Sequence, residues 1–331
     1  MRYIRSFEQL GSDDVHIAGG KGASLGEILR MGISVPAGFV ILAPAFRRFL
    51  TEANLDTKIS TELRAVNHKE IHAVRKTSAK IRRMILSTSV PSDVITEIKK
   101  YFKKLNVPRV AIRSSATSED SAGASWAGQL DTYLNTPEER LLNNVKRCWS
   151  SLFTTRAIVY RFERGLHKHK ISVAVVVQHM INSDIAGVAF SGHPVTKNKN
   201  HLIIEAGFGL GEAIVSGQIT PDTYVVKKKP RRIINKAIAT QTRSLVRRNS
   251  SEGGNKWVRI PKLQGSSQTL TDEQIHELTE LVLKIESHYG FSCDIEWANE
   301  NGVFYILQSR PITTLKREKT RQSNEIVEIV E

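Results

Sequence analysis

Apolar residues recur at helical spacing after a glycine run, with Leu25, Ile28 and Leu29 following Gly19, Gly20, Lys21 and Gly22. The pattern predicts a loop over residues 19–22 that feeds a helix over 23–31, with Gly32 as its stop. Residues 35–42, interrupted by Pro36 and Gly38, read as a turn and then a strand. Two stripes at helical spacing, Ala45, Phe46, Phe49 and Leu50, then Val94, Ile95, Ile98, Tyr101 and Phe102, make residues 44–105 a mostly helical scaffold. A strand over 107–113 is expected to open into the polar run Ser114, Ser115, Ala116, Thr117, Ser118. A flexible stretch over 123–128 and one long amphipathic helix over 140–162 follow. The continuous apolar run at 173–177 predicts a buried strand with residues 187–191 as its hairpin partner, and 202–206 predicts another strand. Thr271 caps a helix over 271–289 that carries Ile275, Leu278, Leu281, Val282 and Ile285 on one side. Strands at 292–297 and 303–310 complete the pattern, and no internal repeat is visible.

The last two strands hold most of the candidate chemistry. Alternation puts Cys293, Ile295 and Trp297 on one face and Asp294 and Glu296 on the other, while Tyr305 and Leu307 oppose Gln308 and Arg310. A two-residue Asn301-Gly302 loop would pair Glu296 with Leu307. A three-residue loop with Gly302 left-handed would pair Asp294 with Gln308 and Glu296 with Ile306, and would gather Ile295, Trp297, Tyr305 and Leu307 on one apolar face. The apolar pattern selects the three-residue loop. The polar face then offers Glu296 and Gln308 as hard oxygen ligands for Mg²⁺, with Arg310 beside them to meet phosphate oxygens. An exposed hairpin edge with an ion pair from Asp294 or Glu296 to Arg310 is the plainer alternative.

Two glycine clusters are weaker signals. The run at 19–22 resembles a phosphate cradle before a helix, but Val15 and Gly22 stand where a Walker A loop needs glycine and a hydroxyl. Gly207, Gly209 and Gly211 follow a strand, yet Glu212 occupies the third glycine of a dinucleotide fingerprint, so a tight turn is the better account.

Composition narrows the class. The 331 residues are 40% hydrophobic and 24% charged, as in an ordinary globular protein of two or three subdomains. Cys148 and Cys293 are too few for a disulfide framework. No apolar run approaches the roughly 20 residues that span a bilayer, and the N-terminus lacks the pattern of a secretory leader. A cytoplasmic protein without a membrane partner is expected. The net charge of +15 gathers in Lys227, Lys228, Lys229, Arg231 and Arg232, in Arg243, Arg247 and Arg248, and in a tail over 316–331. Few aromatic residues interleave to stack bases, which favours a solvated surface over nucleic acid. A non-enzymatic polyanion-binding protein stays open as an alternative.

Taken together, GGKGASLGEI at 19–28, VPAGFVI at 35–41, AIRSSATSEDSAGASWAGQLDTYLN at 111–135, VQHMI at 177–181, GVAFSGHPVT at 187–196, EAGFGLGEAIVSGQITPDTYVV at 205–226, and DIEWA with ILQSRPIT at 294–313 resemble the N-terminal nucleotide-binding domain of the phosphoenolpyruvate synthase and pyruvate, phosphate dikinase family. The resemblance covers nearly the whole chain in order. It implies an α+β, ATP-grasp fold with ATP between two α+β subdomains, divided as 1–110, 111–225 and 226–315 before the tail. It implies that Lys21 and Arg113 hold phosphates, that Gly128 to Thr132 supply flap donors, and that Gln178 and Met180 meet adenine. It further implies Glu296 and Gln308 as Mg²⁺ ligands and Arg310 as the group that neutralises charge on the transferred phosphoryl. The family's acceptor histidine, in a Thr-Ser-His segment, and its pyruvate barrel have no counterpart among the quoted blocks, so a separate phosphohistidine and pyruvate-binding polypeptide is the expected partner. Rifampin phosphotransferases share the module and are the alternative acceptor chemistry.

Overall fold

The structure, a computed structural model, describes residues 2–117, 130–166, 172–312 and 315. Its strands are β1 (Ile4–Ser6), β2 (Gly38–Ile41), β3 (Val110–Ala116), β4 (Thr132–Thr136), β5 (Val173–His179), β6 (Ile185–Phe190), β7 (His201–Phe208), β8 (Asp222–Lys227), β9 (Arg232–Ala237), β10 (Arg243–Arg247), β11 (Asn255–Arg259), β12 (Cys293–Glu300) and β13 (Val303–Pro311). Its α-helices are α1 (Val15–Arg30), α2 (Ala43–Glu52), α3 (Leu55–Ala65), α4 (Ile71–Ser87), α5 (Ser92–Leu105), α6 (Glu138–Ser151), α7 (Thr155–Glu163), the short α8 (Glu212–Val215) and α9 (Lys262–Gly265), and α10 (Asp272–Tyr289). The architecture is α+β, as expected. A five-stranded antiparallel sheet has the order β1-β2-β5-β3-β4, and a six-stranded one has the order β13-β12-β6-β7-β8-β9.

Periodicity explains the layers. On the first sheet Phe39, Ile41, Val110, Ile112, Val173, Val175 and Val177 point to one face, where Phe46, Phe49, Ile81, Ile85 and Trp149 of the helical scaffold cover them. Alternate residues Val40, Ala174 and Val176 point the other way and meet Leu25 and Ile28 of α1. The same core continues into Leu202, Ile204, Tyr224, Ile295, Trp297 and Ile306 of the second sheet and Ile275, Leu278, Val282 and Ile285 of α10. Helix α1 therefore joins the two sheets, and the chain passes from one to the other over residues 180–184.

Four local expectations are revised. Residues 19–22 lie within α1 rather than in a loop before it, and the glycine run instead supplies a kink at Gly19, φ 70°. A Cβ there would stand 2.2 Å from the Ser115 hydroxyl, so the run lets α1 press against β3. The long helix over 140–162 is broken in two, because the Thr154 side chain accepts from the Ala157 amide and starts α7 afresh. Strand β5 does not pair with β6. It lies between β2 and β3, and β6 lies between β12 and β7, a choice of partner that a local apolar run cannot encode. The turn of the last hairpin holds two residues, Asn301 at φ 53° and Gly302 at φ 83°, with Glu300 opposite Val303.

Candidate functional site

That final hairpin places the polar groups by a route the sequence reading did not foresee. From the turn, Asn299 pairs with Phe304, Ala298 with Tyr305 and Trp297 with Ile306; then a bulge intervenes, and Glu296 pairs with Gln308 and Asp294 with Arg310. Leu307 is the extra residue. Phe304 and Ile306, not Tyr305 and Leu307, therefore back Trp297 in the core, while Tyr305 and Leu307 pack with Ile181, Ala186 and Ala298. Glu296 and Gln308 still share a face, because the bulge restores the parity that a two-residue turn would have lost.

Arg113 reaches that face from the other sheet. Its Nη2 donates to Glu296 Oε2 at 2.6 Å and to Gln308 Oε1 at 2.9 Å, and its Nη1 donates to the Leu307 carbonyl at 2.7 Å. That carbonyl belongs to the bulge residue. Arg113 is held by its strand, between Thr132 on β4 and Val176 on β5, and its side chain is 10% accessible against 22% for Glu296. One rung along, Arg310 Nε donates to Asp294 Oδ2 at 2.8 Å. Burial raises the Asp294 carboxyl above its usual range even though Arg310 pulls it down.

The other expected residues are distributed around this pair of rungs. Lys21 is half-buried on α1, next to the glycines that pack on Ser115, and its charge reaches the Cys148 thiol. Gln178 shares the Arg113 face of the first sheet two residues along, opposite Ala111, and its buried Nε2 has no acceptor among the described residues. Met180 begins the passage between the sheets and packs against the cluster of Leu210, Ala213 and Leu245. Thr132 is exposed at the start of β4. Gly128 lies outside the described residues.

Two acids were not among the expected site residues. Asp294 was seen only as an ion-pair alternative, and Glu205 was not considered. Glu205 stands in one cross-sheet row with Gln308, Glu296 and Val188. Its carboxyl is raised by burial and then by the nearby charge of Asp294. Strand alternation in residues 202–206 was the available signal, but the apolar neighbours of Glu205 hid it.

The donor set suits a hard cation. Among the described residues no three acidic, histidine or cysteine side chains converge into an all-protein metal cage. A carboxylate and an amide oxygen that leave the remaining positions to water and phosphate are how Mg²⁺ is ordinarily held. Two cations of the basic run, Lys228 and Arg231, and nearby Lys236 are paired with acids. Lys228 meets Glu286 at 2.5 Å, and Arg231 and Lys236 pair with Glu280 and Asp272 of α10. No described helix is long and apolar enough to cross a membrane.

Comparison with known proteins identifies the family of the chain. A model described as "Pyruvate phosphate dikinase, AMP/ATP-binding domain" matches residues 15–330. A probable phosphoenolpyruvate synthase of Methanocaldococcus jannaschii is 44% identical over 96% of the chain and 27% of its own length. The phosphoenolpyruvate synthase of Pyrococcus furiosus is 39% identical over 100% of the chain and 46% of its own length. The rifampicin phosphotransferase of Bacillus subtilis is 38% identical over 94% of the chain and 36% of its own length. The chain thus spans less than half the length of each of these relatives.

Proposed function

Because the chain belongs to the pyruvate phosphate dikinase AMP/ATP-binding domain family, we propose that it is the ATP-binding, phosphoryl-donating part of a phosphoenolpyruvate synthase-like dikinase, with the nucleotide held in ATP-grasp fashion between its two sheets. The observation that carries this reading is the Arg113 guanidinium of the first sheet, bonded to both Glu296 and Gln308 of the second. It marks where the polar faces of the two sheets meet. Lys21, Arg113 and Arg310 would face the phosphates, Thr132 and Gly128 would border them from the flap, and Gln178 and Met180 would lie at the base. Glu296 and Gln308 would hold Mg²⁺, whose charge offsets that of the phosphates.

In this reading the chain's own residues bind, orient and neutralise, and no general base is needed, since phosphoryl transfer depends chiefly on positioning and electrostatics. Arg113 has two acceptors to exchange for phosphate oxygens, which releases Glu296 and Gln308 to the cation. Asp294 fixes the Arg310 guanidinium for the group in transfer. His193 is a poor acceptor, because the amides of Val195 and Thr196 donate to its Nδ1 at 3.3 Å each, which keeps the proton of the neutral ring on Nε2 and leaves neither nitrogen a free lone pair. The reading places the phosphohistidine and pyruvate sites outside residues 1–331, on a further domain or a separate polypeptide. The 38% identity to a rifampicin phosphotransferase supports a second reading with the same ATP site and a different final acceptor.

The test is thermal. Mg-ATP at 100 times its Kd should stabilise the fold by about 2.7 kcal/mol, and the pair Glu296→Ala with Gln308→Ala should abolish the part of the shift that needs metal. An unchanged melting temperature in the wild type would overturn the reading.

A further inference from the structure

Strands β10 and β11 form a two-stranded hairpin that joins neither large sheet. Its base is fixed to the second sheet. The Leu210 amide donates to the Leu245 carbonyl at 2.8 Å, and the Phe208 amide at the end of β7 donates to Gln241 Oε1 at 3.0 Å; nearer the tip, Asn255 also donates to Glu212 Oε2 of α8 at 2.6 Å. Leu245 also shares one apolar cluster with Leu210 and Ala213, against which both Trp257 and Met180, the first residue of the passage between the sheets, are packed. The tip of the hairpin crosses to the other block. Arg109 Nη2, just before β3, donates to the Ser250 carbonyl at 2.7 Å, Asn255 meets Asn135 of β4, and Glu252 meets Arg140 of α6 at 3.4 Å. Gly253, at φ 75°, presses so closely on this block that a Cβ would stand 2.2 Å from the Asn135 carbonyl oxygen.

The geometry points to a clasp: the β10–β11 hairpin spans the passage over residues 180–184, and its tip releases and re-engages the first block as the two sheets part for nucleotide exchange. The asymmetry of its attachments carries the inference. The base is held by backbone bonds and an apolar cluster, whereas the tip is held by a few polar contacts, one of them an exposed ion pair of the kind that contributes little. The closed seam is also imperfect. Arg109 Nη1 is buried there without an acceptor, a donor that gains water when the tip lifts, and a cavity of about 330 Å³ stays open among Pro108, Arg109, Arg247 and Ser250. The amide of Met180 donates to the Arg109 carbonyl at 3.1 Å, so the tip's anchor and the passage are linked through one residue.

Two variants test it from opposite sides. Gly253→Ala should lift the tip, and the pair Arg140→Cys with Glu252→Cys, joined by a short bis-methanethiosulfonate crosslinker that a reductant cleaves, should hold it down. Both native thiols are buried and pushed up to about 12, so the reagent should find only the introduced pair. Hydrogen exchange at the Met180 amide should rise at least tenfold in Gly253→Ala, and release of bound Mg-ATP should quicken at least tenfold. The crosslinked protein should release Mg-ATP at least tenfold more slowly until the link is cleaved. The release measurements rest on the nucleotide reading proposed above, whereas hydrogen exchange does not. Unchanged exchange at Met180 in Gly253→Ala overturns the clasp whether or not ATP binds. Release rates within twofold of wild type in both proteins overturn it if ATP does bind.

Discussion

Replacing Arg113 by Met removes one cation and leaves a nearly isosteric apolar stem, so its effect isolates the charge that joins the two sheets. The guanidinium bonds Glu296, Gln308 and the Leu307 carbonyl. Stripping one partner from a buried ion pair costs roughly 3–5 kcal/mol. Glu296 is 22% accessible and can rehydrate in part, which lowers the expected loss to about 2–3 kcal/mol. At about 2 °C per kcal/mol for a chain of this size, the melting temperature should fall by about 4–6 °C. Part of that loss is attributed to the stranded charge, so Glu296→Gln added to Arg113→Met should recover about 1 kcal/mol. Glu296→Gln alone, which keeps an acceptor for Arg113, should destabilise. Urea denaturation of the four proteins gives the cycle directly. A double variant no more stable than Arg113→Met would show that Glu296 is not held by Arg113.

The acids beside that pair set a pH dependence. Burial raises the folded carboxyls of Glu205 and Asp294, so the folded state binds more protons than the unfolded one in that range. The stability they contribute is greatest below the ordinary carboxylate range and is lost as pH rises through their folded values; urea titrations between pH 4 and 7 should show the decline, and Glu205→Gln should flatten it. Cys148 and Cys293, buried with thiols pushed up to about 12, should resist alkylation in the native state at pH 8 and react fully in denaturant, as thiol counts by mass spectrometry would show.

How much the sequence disclosed depended on the range of the interaction. The α10 boundary was legible because Thr271 and Gln274 make a capping box within one turn. The Asn301-Gly302 turn carries its own two-residue signal, yet the apolar pattern outweighed it, because the bulge that reconciles the two lies several residues beyond the turn. The partner of β5 was not legible, since residues 173–177 are apolar throughout and pairing depends on segments 57 to 69 residues away at β3 and farther at β2. Glu296 and Gln308 could be placed on one face from alternation, but their common bond to Arg113 joins positions 183 and 195 residues apart. Glu205 was missed because one acid in an apolar strand reads as an ordinary surface residue until the neighbouring strands are in register.

Phe304, Ile306, Gln308 and Arg310 are all even-numbered, and a regular strand would turn all four the same way. In β13 the first two line the core and the last two share the face of Glu296 and Asp294, because the strand is read in two frames separated by Leu307. Losing Leu307 would mend the ladder and still leave Gln308 opposite Glu296 and Arg310 opposite Asp294, yet it would take away the carbonyl on which the Arg113 guanidinium is seated. The odd residue therefore serves a side chain that arrives from the other sheet, and not the facing of the strand that carries it.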